Sequence, residues 1–349
     1  MLKRIKQITL NVLKNGGIFQ LALNSQWRQD RLLILAYHGI SIEDEHEYDS
    51  DLFMSPDLFR SRLDLLKAYN CNVLPLNEAI TRLYKGDLPH NSVALTFDDG
   101  YYNFYKQAYP IIKEYGFPTT LYLTTFYSIY NRPVFDCACQ YILWKSREQT
   151  LDLSGLTGTK LKIDLIQAAS RSFVFRNIKD FCSRENLNAV EMDKFAAHLA
   201  AQLDFDYEDL ASRRLMNYLN PDEIRVLASD NLDIQIHTHR HQSPLDQHQF
   251  KNEILENVIH IQDISSIQPT HFCYPGGIYD MAFLDWLADL DIVSATTCEP
   301  GLASRNSKRL LLPRLVDVTA LAPIEFEGWL TGVSSAIPRR KFTYNRGVN

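Results

Sequence analysis

Short apolar runs alternating with helical patterns along most of the chain restrict its fold more than any other feature. Leu32 to Tyr37, Ser92 to Phe97, Thr119 to Thr124, Asp233 to His237, His271 to Tyr274 and Ile292 to Thr296 each read as a strand. Between them the spacing predicts helices. One starts at Ser55 and Pro56, one covers Leu76 to Lys85 and stops at Gly86, and one covers Tyr102 to Tyr115 before Gly116. Such alternation calls for parallel strands joined by crossover helices, and seven or eight strands imply an α/β barrel. Near Pro133 the rhythm breaks. From about 133 to 218, helical patterns and a turn-rich stretch at Leu153 to Lys162 predict a mainly helical insertion or lid. The expected organisation is a basic segment over 1–30, a barrel over 31–335 carrying that insertion, and a tail over 336–349.

Composition narrows the function classes. With 46% hydrophobic and 22% charged residues the chain is globular, and a net charge of -6 provides no positive field for nucleic acid. Residues 1 to 31 run against that balance, with Lys3, Arg4, Lys6, Lys14, Arg28 and Arg31 set against Asp30 alone. Leu2, Ile5, Ile8, Val12 and Leu13 recur at helical spacing among the lysines. They predict a basic amphipathic helix, either packed on the domain or touching an anionic membrane through residues 1–25. The stretch has no continuous apolar region or cleavage site of a signal peptide, and no later run is long enough to span a bilayer. The expected location is cytoplasmic or peripheral on the inner membrane face. Six cysteines in a chain this long read as free thiols, and Cys137 and Cys139 make only a weak zinc candidate.

Four strand ends carry residues suited to chemistry. Thr96-Phe97-Asp98-Asp99-Gly100 sets two adjacent carboxylates before a glycine, where the barrel rim would hold them, although a helix cap uses the same residue types. His237-Thr238-His239-Arg240-His241 brings three imidazoles together. Of these, His237 and His241 can converge on one ion if the chain turns, with a carboxylate from elsewhere as third ligand and a position left for water. Tyr37-His38-Gly39 offers one more histidine for acid/base work, and Tyr274-Pro275-Gly276-Gly277 ends its strand in a loop that could line a pocket.

In this order the segments resemble the polysaccharide deacetylase family, the NodB homology domain or carbohydrate esterase family 4, over roughly residues 32 to 320. The resemblance implies a distorted (β/α) barrel that hydrolyses N-acetyl groups from a hexosamine-containing glycan or glycan precursor. By it Asp98 is the base, Asp99, His237 and His241 hold a divalent metal, and His239 plays a supporting part. Zinc is the first expectation for that metal, with cobalt, nickel, manganese or iron as alternatives. The family's usual arginine position is Cys273 here, which makes Arg314 the expected cation beside Asp98. A C-terminal Leu-x-His motif is missing, which turns the proton-donor role to His38. Tyr101, Tyr274, Pro275 and Gly276 are the expected sugar contacts. Two other readings fit part of the pattern: a non-catalytic glycan-binding barrel, and a non-haem iron oxygenase using the Asp/His/His set.

Overall fold

A computed structural model of the protein describes residues 2–337. The expected tail over 336–349 lies outside the described residues from 338 onward. Eight parallel strands form the central sheet: β1 (Leu33–Tyr37), β2 (Asn72–Val73), β3 (Ser92–Phe97), β4 (Thr119–Leu123), β5 (Asp233–Ile236), β6 (His271–Cys273), β7 (Ser294–Thr296) and β8 (Leu315–Val316). Their order is β7-β6-β5-β4-β3-β1-β8, with β2 beside the start of β3. Every residue of β1, β3 and β4 is buried, as expected of parallel strands covered on both faces. Alternate positions of β1 enter different clusters, Leu33 and Leu35 packing with Phe59 and Leu63, and Ile34 with Leu76, Ile80 and Tyr122.

The sheet curls into a distorted barrel whose seam is irregular. Leu312 N–H donates to Ala295 O at 2.9 Å, Thr297 N–H to Leu312 O at 2.9 Å and Arg314 N–H to Glu299 O at 3.0 Å. Residues 309–314 thus bridge the edge of β7 to β8, and β8 pairs with β1, so the edge groups find partners without a full strand. This seam delivers Arg314 to the interior.

The expected helix over Tyr102 to Tyr115 is split. Phe104–Ala108 is wound as a π-helix and Tyr109–Tyr115 continues as an α-helix. Pro110, which lacks an N–H and crowds the carbonyl four residues earlier, accounts for the wider turn. Between 133 and 218 lie the helices Phe135–Lys145, Ala168–Arg184, Ala189–Gln202 and Tyr207–Arg213, and an antiparallel hairpin of Thr150–Asp152 with Lys162–Asp164. They build a core of their own around Tyr141, Ile178, Leu199 and Leu210, to which Phe53 and Tyr101 also belong. At the N-terminus, helix Leu2–Asn15 lies against helix Pro323–Leu330, where Lys6 pairs with Glu325 and Lys14 with Glu327.

Candidate metal and catalytic centre

The carboxylate pair stands where β3 ends. Asp98 N–H donates to Tyr37 O at 2.9 Å, which ties the end of β3 to that of β1 and sets His38 nearby. Asp99 then takes a left-handed backbone, φ 71°, a conformation that Asp tolerates better than most residues. Gly100 follows at φ 90°, a backbone that side chains rarely adopt, and a Cβ there would lie 2.4 Å from Leu123 Cδ1, which would have to shift.

The histidine motif is held by the helix Gln247–Ser265. Asn257 accepts from His237 N–H at 3.0 Å and donates to Leu123 O at 3.0 Å and Thr125 Oγ1 at 2.9 Å, bridging β4 and β5. One turn earlier, Glu253 accepts from His239 N–H through its carbonyl at 2.9 Å and from Arg240 N–H through its carboxylate at 2.7 Å. These anchors hold Thr238 at φ 63° and His241 at φ 57°. For a β-branched residue such a backbone costs about 1–3 kcal/mol, and it persists only where the surroundings over-determine it. The result is a turn that aims both imidazoles inward.

His237 Nε2 and His241 Nε2 each lie 3.2 Å from the same atom, Asp99 Oδ1. The other ring nitrogen of His237 sits 2.8 Å from Cys273 O. A carbonyl only accepts, so the proton is on Nδ1 and the Nε2 lone pair faces the carboxylate. Asp99 Oδ1 is buried and has no hydrogen-bond partner. Two imidazole nitrogens converging on a buried carboxylate oxygen that has no hydrogen-bond partner is an arrangement that a cation completes, and the donor set suits a divalent transition ion.

Asp98 has different partners. Arg314 donates to both of its oxygens, Nη1 to Oδ1 at 2.8 Å and Nη2 to Oδ2 at 2.7 Å, and both residues are buried. Arg314 also donates to Thr297 O at 3.0 Å, to Thr96 Oγ1 at 3.2 Å and to Cys273 Sγ at 3.0 Å. Burial raises the Asp98 carboxyl, and the facing guanidinium brings it net below its ordinary value. His38 Nε2 stands 4.0 Å from Asp98 Oδ2 and is partly open to solvent. Asp98, Asp99, His38, His237, His241 and Arg314 are therefore brought together.

His239 stays out of this group. Its Nδ1 meets Thr125 Oγ1 at 2.8 Å and its ring stacks on His260, with centroids 4.9 Å apart. Burial, then Arg240 and His260, push its pKa down to about 4, so it is neutral at pH 7.

Of the four expected sugar contacts, the structure buries three. Tyr101 is buried in the insertion's core with its hydroxyl 3.2 Å from Cys137 Sγ, and Tyr274 is buried with its hydroxyl donating to Leu310 O at 3.0 Å. Pro275 is buried as well, which leaves Gly276 exposed. Neighbourhood in sequence placed these residues near the motifs, but packing buries Tyr101, Tyr274 and Pro275. An aromatic cavity of about 210 Å³ lies elsewhere on the rim, lined by Phe126, Tyr127, Tyr130, Met192, Arg240 and Gln242 among others. Arg240 and Gln242 flank His241 in the chain, and Phe126 N–H donates to His239 O at 2.9 Å. Sequence reasoning missed this cavity and Asn257. The one hint at Asn257 was a poor helix former in the middle of a helix.

Fold and site together define a parallel α/β barrel with a carboxylate and imidazole centre on its C-terminal rim. The polysaccharide deacetylase family model matches residues 85–140 and 192–295 of the chain and skips the heart of the insertion. A poly-beta-1,6-N-acetyl-D-glucosamine N-deacetylase of Staphylococcus epidermidis is 28% identical over 174 residues, 44% of this chain and 59% of the relative. Its Staphylococcus aureus counterpart is 36% identical over 72 residues, 21% of this chain and 25% of that protein. The chain thus spans 59% or less of the length of these relatives. A Streptococcus pyogenes deacetylase solved in complex with acetate shares the fold, with a TM-score of 0.54 and 19% identity over 84% of this chain and 96% of that one.

Proposed function

We propose that this protein is a metal-dependent de-N-acetylase of an N-acetylglucosamine-containing polysaccharide or its precursor. The observation that carries the reading is the orphaned Asp99 Oδ1 facing two imidazoles, one residue from an Asp98 clamped by Arg314. The Staphylococcus relatives, named for poly-N-acetylglucosamine, supply the substrate class.

Asp99, His237 and His241 would hold the ion, which supplies Lewis-acid polarisation of water and of the acetyl carbonyl. Asp98 takes the proton of the attacking water, as the C–O bond to the acetyl carbon forms and the C–N bond breaks. Arg314 keeps Asp98 ionised and fixes its direction. His38, at the open side of Asp98, gives its proton to the departing sugar amine, and acetate and a free amine result. An oxygenase would leave the clamped Asp98 without a task.

Acetate release from N-acetylglucosamine oligomers, measured without oxygen and with and without chelator, tests this. Release that the chelator abolishes is expected. If metal-loaded protein frees no acetate from any oligomer, the proposal fails, and turnover that needs oxygen would favour an oxygenase.

The aromatic cavity beside His241 suits the apolar face of a neighbouring sugar ring. Tyr130→Ala is expected to raise KM about three- to tenfold with kcat nearly unchanged, the signature of lost uniform binding. An unaltered KM on oligomers would remove the cavity from the substrate path.

A further inference from the structure

His38 is placed by the short link that follows it. Gly39 N–H donates to Leu52 O at 3.1 Å, and the segment Gly39–Ile40 pairs with Phe53–Met54. The space behind Gly39 is full, since a Cβ built there would lie 2.4 Å from Phe53 Cδ1 and 2.8 Å from Asn103 Nδ2. Asn103 stands at the head of the π-helix Phe104–Ala108, which packs on Gly39–Ile40. The helix that follows the two catalytic carboxylates thus reaches, through Asn103, the link behind His38.

An asparagine is an odd occupant of that place. Asn103 is 0% exposed, and neither its amide nitrogen nor its amide oxygen has a hydrogen-bond partner among the described residues. At a helix start an Asn side chain normally accepts a backbone N–H, but Asn103 has helical φ −64° and ψ −19° and its side chain caps nothing. A buried amide with both groups unmade costs stability that an apolar residue of similar shape would not. Its donor and acceptor are therefore in reserve for a state of the site other than the resting one.

The chemistry contains such a state. His38 Nε2 stands 4.0 Å from Asp98 Oδ2, and giving its proton to the departing amine turns the imidazole away from that carboxylate. We propose that Asn103 is a positioning residue for His38, given His38 as the proton donor. Its amide engages the peptide groups of the His38–Gly39 link as the imidazole turns from Asp98 to the sugar amine.

A leaving group that needs no proton isolates the effect. Release of acetate from N-acetylglucosamine oligomers requires protonation of the amine, whereas 4-nitrophenyl acetate expels its phenolate unaided, so a defect confined to the donor shows on the first substrate only. Asn103→Leu in the metal-loaded full chain should lower kcat on oligomers about tenfold or more and leave both KM and ester turnover within about twofold of native. Its thermal midpoint should hold or rise, because two unmade hydrogen bonds go with the amide. Asn103→Ala, which adds no bulk beside Gly39, should show the same split between substrates. His38→Ala should show it more strongly, and adding Asn103→Leu to His38→Ala should lower oligomer turnover no further. Equal loss on both substrates, native oligomer turnover in both Asn103 variants, or an additive loss in the double variant overturns the role of Asn103 and leaves His38 as donor. Native oligomer turnover in His38→Ala would instead bring down the donor itself, and the role of Asn103 with it.

Discussion

Asp98→Asn will keep its metal and lose acetate release by about 10²- to 10⁴-fold, the usual contribution of a positioned general base. His237→Ala will lose both. The two variants separate because their side chains have different partners. His237 presents Nε2 to Asp99 Oδ1 at 3.2 Å while Cys273 O holds its other nitrogen, so the substitution removes one of the three groups that converge there. Asp98 spends both oxygens on Arg314, which leaves the ligand set intact when its charge is removed. Metal content by elemental analysis alongside turnover reads both effects. Full activity in Asp98→Asn would remove the base from this mechanism, and full metal content in His237→Ala would move the ion elsewhere.

The residues that announce themselves in the sequence are those whose local pattern is also their tertiary role. Leu33 to Tyr37 and Ser92 to Phe97 are apolar throughout because parallel strands are buried on both faces, and Asp98-Asp99-Gly100 follows a strand end because the chain must turn there. Arg314 was legible by subtraction, as a cation on a late apolar run needed where Cys273 stands. Other features depend on which partner arrives from far away in the chain. Tyr101 and Tyr274 adjoin the motifs yet are turned into cores by Cys137 and Leu310, and the Phe126, Tyr127 and Tyr130 cavity needs the insertion to close it. Periodicity showed that Leu2–Asn15 has an apolar and a basic face. It did not show that Glu325 and Glu327 would pair with Lys6 and Lys14.

Arg314→Met should cost about 3–5 kcal/mol of stability, because removing one partner of a buried ion pair leaves the other charge uncompensated. Turnover should fall with it. Without the guanidinium, only the smaller effects of His237 and His38 oppose burial, which favours the protonated form of Asp98, and that form cannot accept a proton from water. Denaturant titration gives the first quantity and acetate release the second. Adding Asp98→Asn to Arg314→Met should restore part of the stability, since the stranded charge is gone, and none of the activity; the two losses therefore have one electrostatic origin but are separable. Arg314→Lys should retain more stability than Arg314→Met yet little of the turnover, because a point charge cannot bind both carboxylate oxygens in the plane that fixes the base. Cys273 Sγ lies 3.6 Å from Asp98 Oδ2 and 3.0 Å from Arg314 Nη2, so a guanidinium introduced by Cys273→Arg can enter the space that Arg314→Met vacates. Partial recovery of turnover in that double variant would show that what the seam delivers is a charge beside Asp98, from whichever strand carries it. If Arg314→Met alone retains native turnover, Asp98 is oriented by something other than this pair.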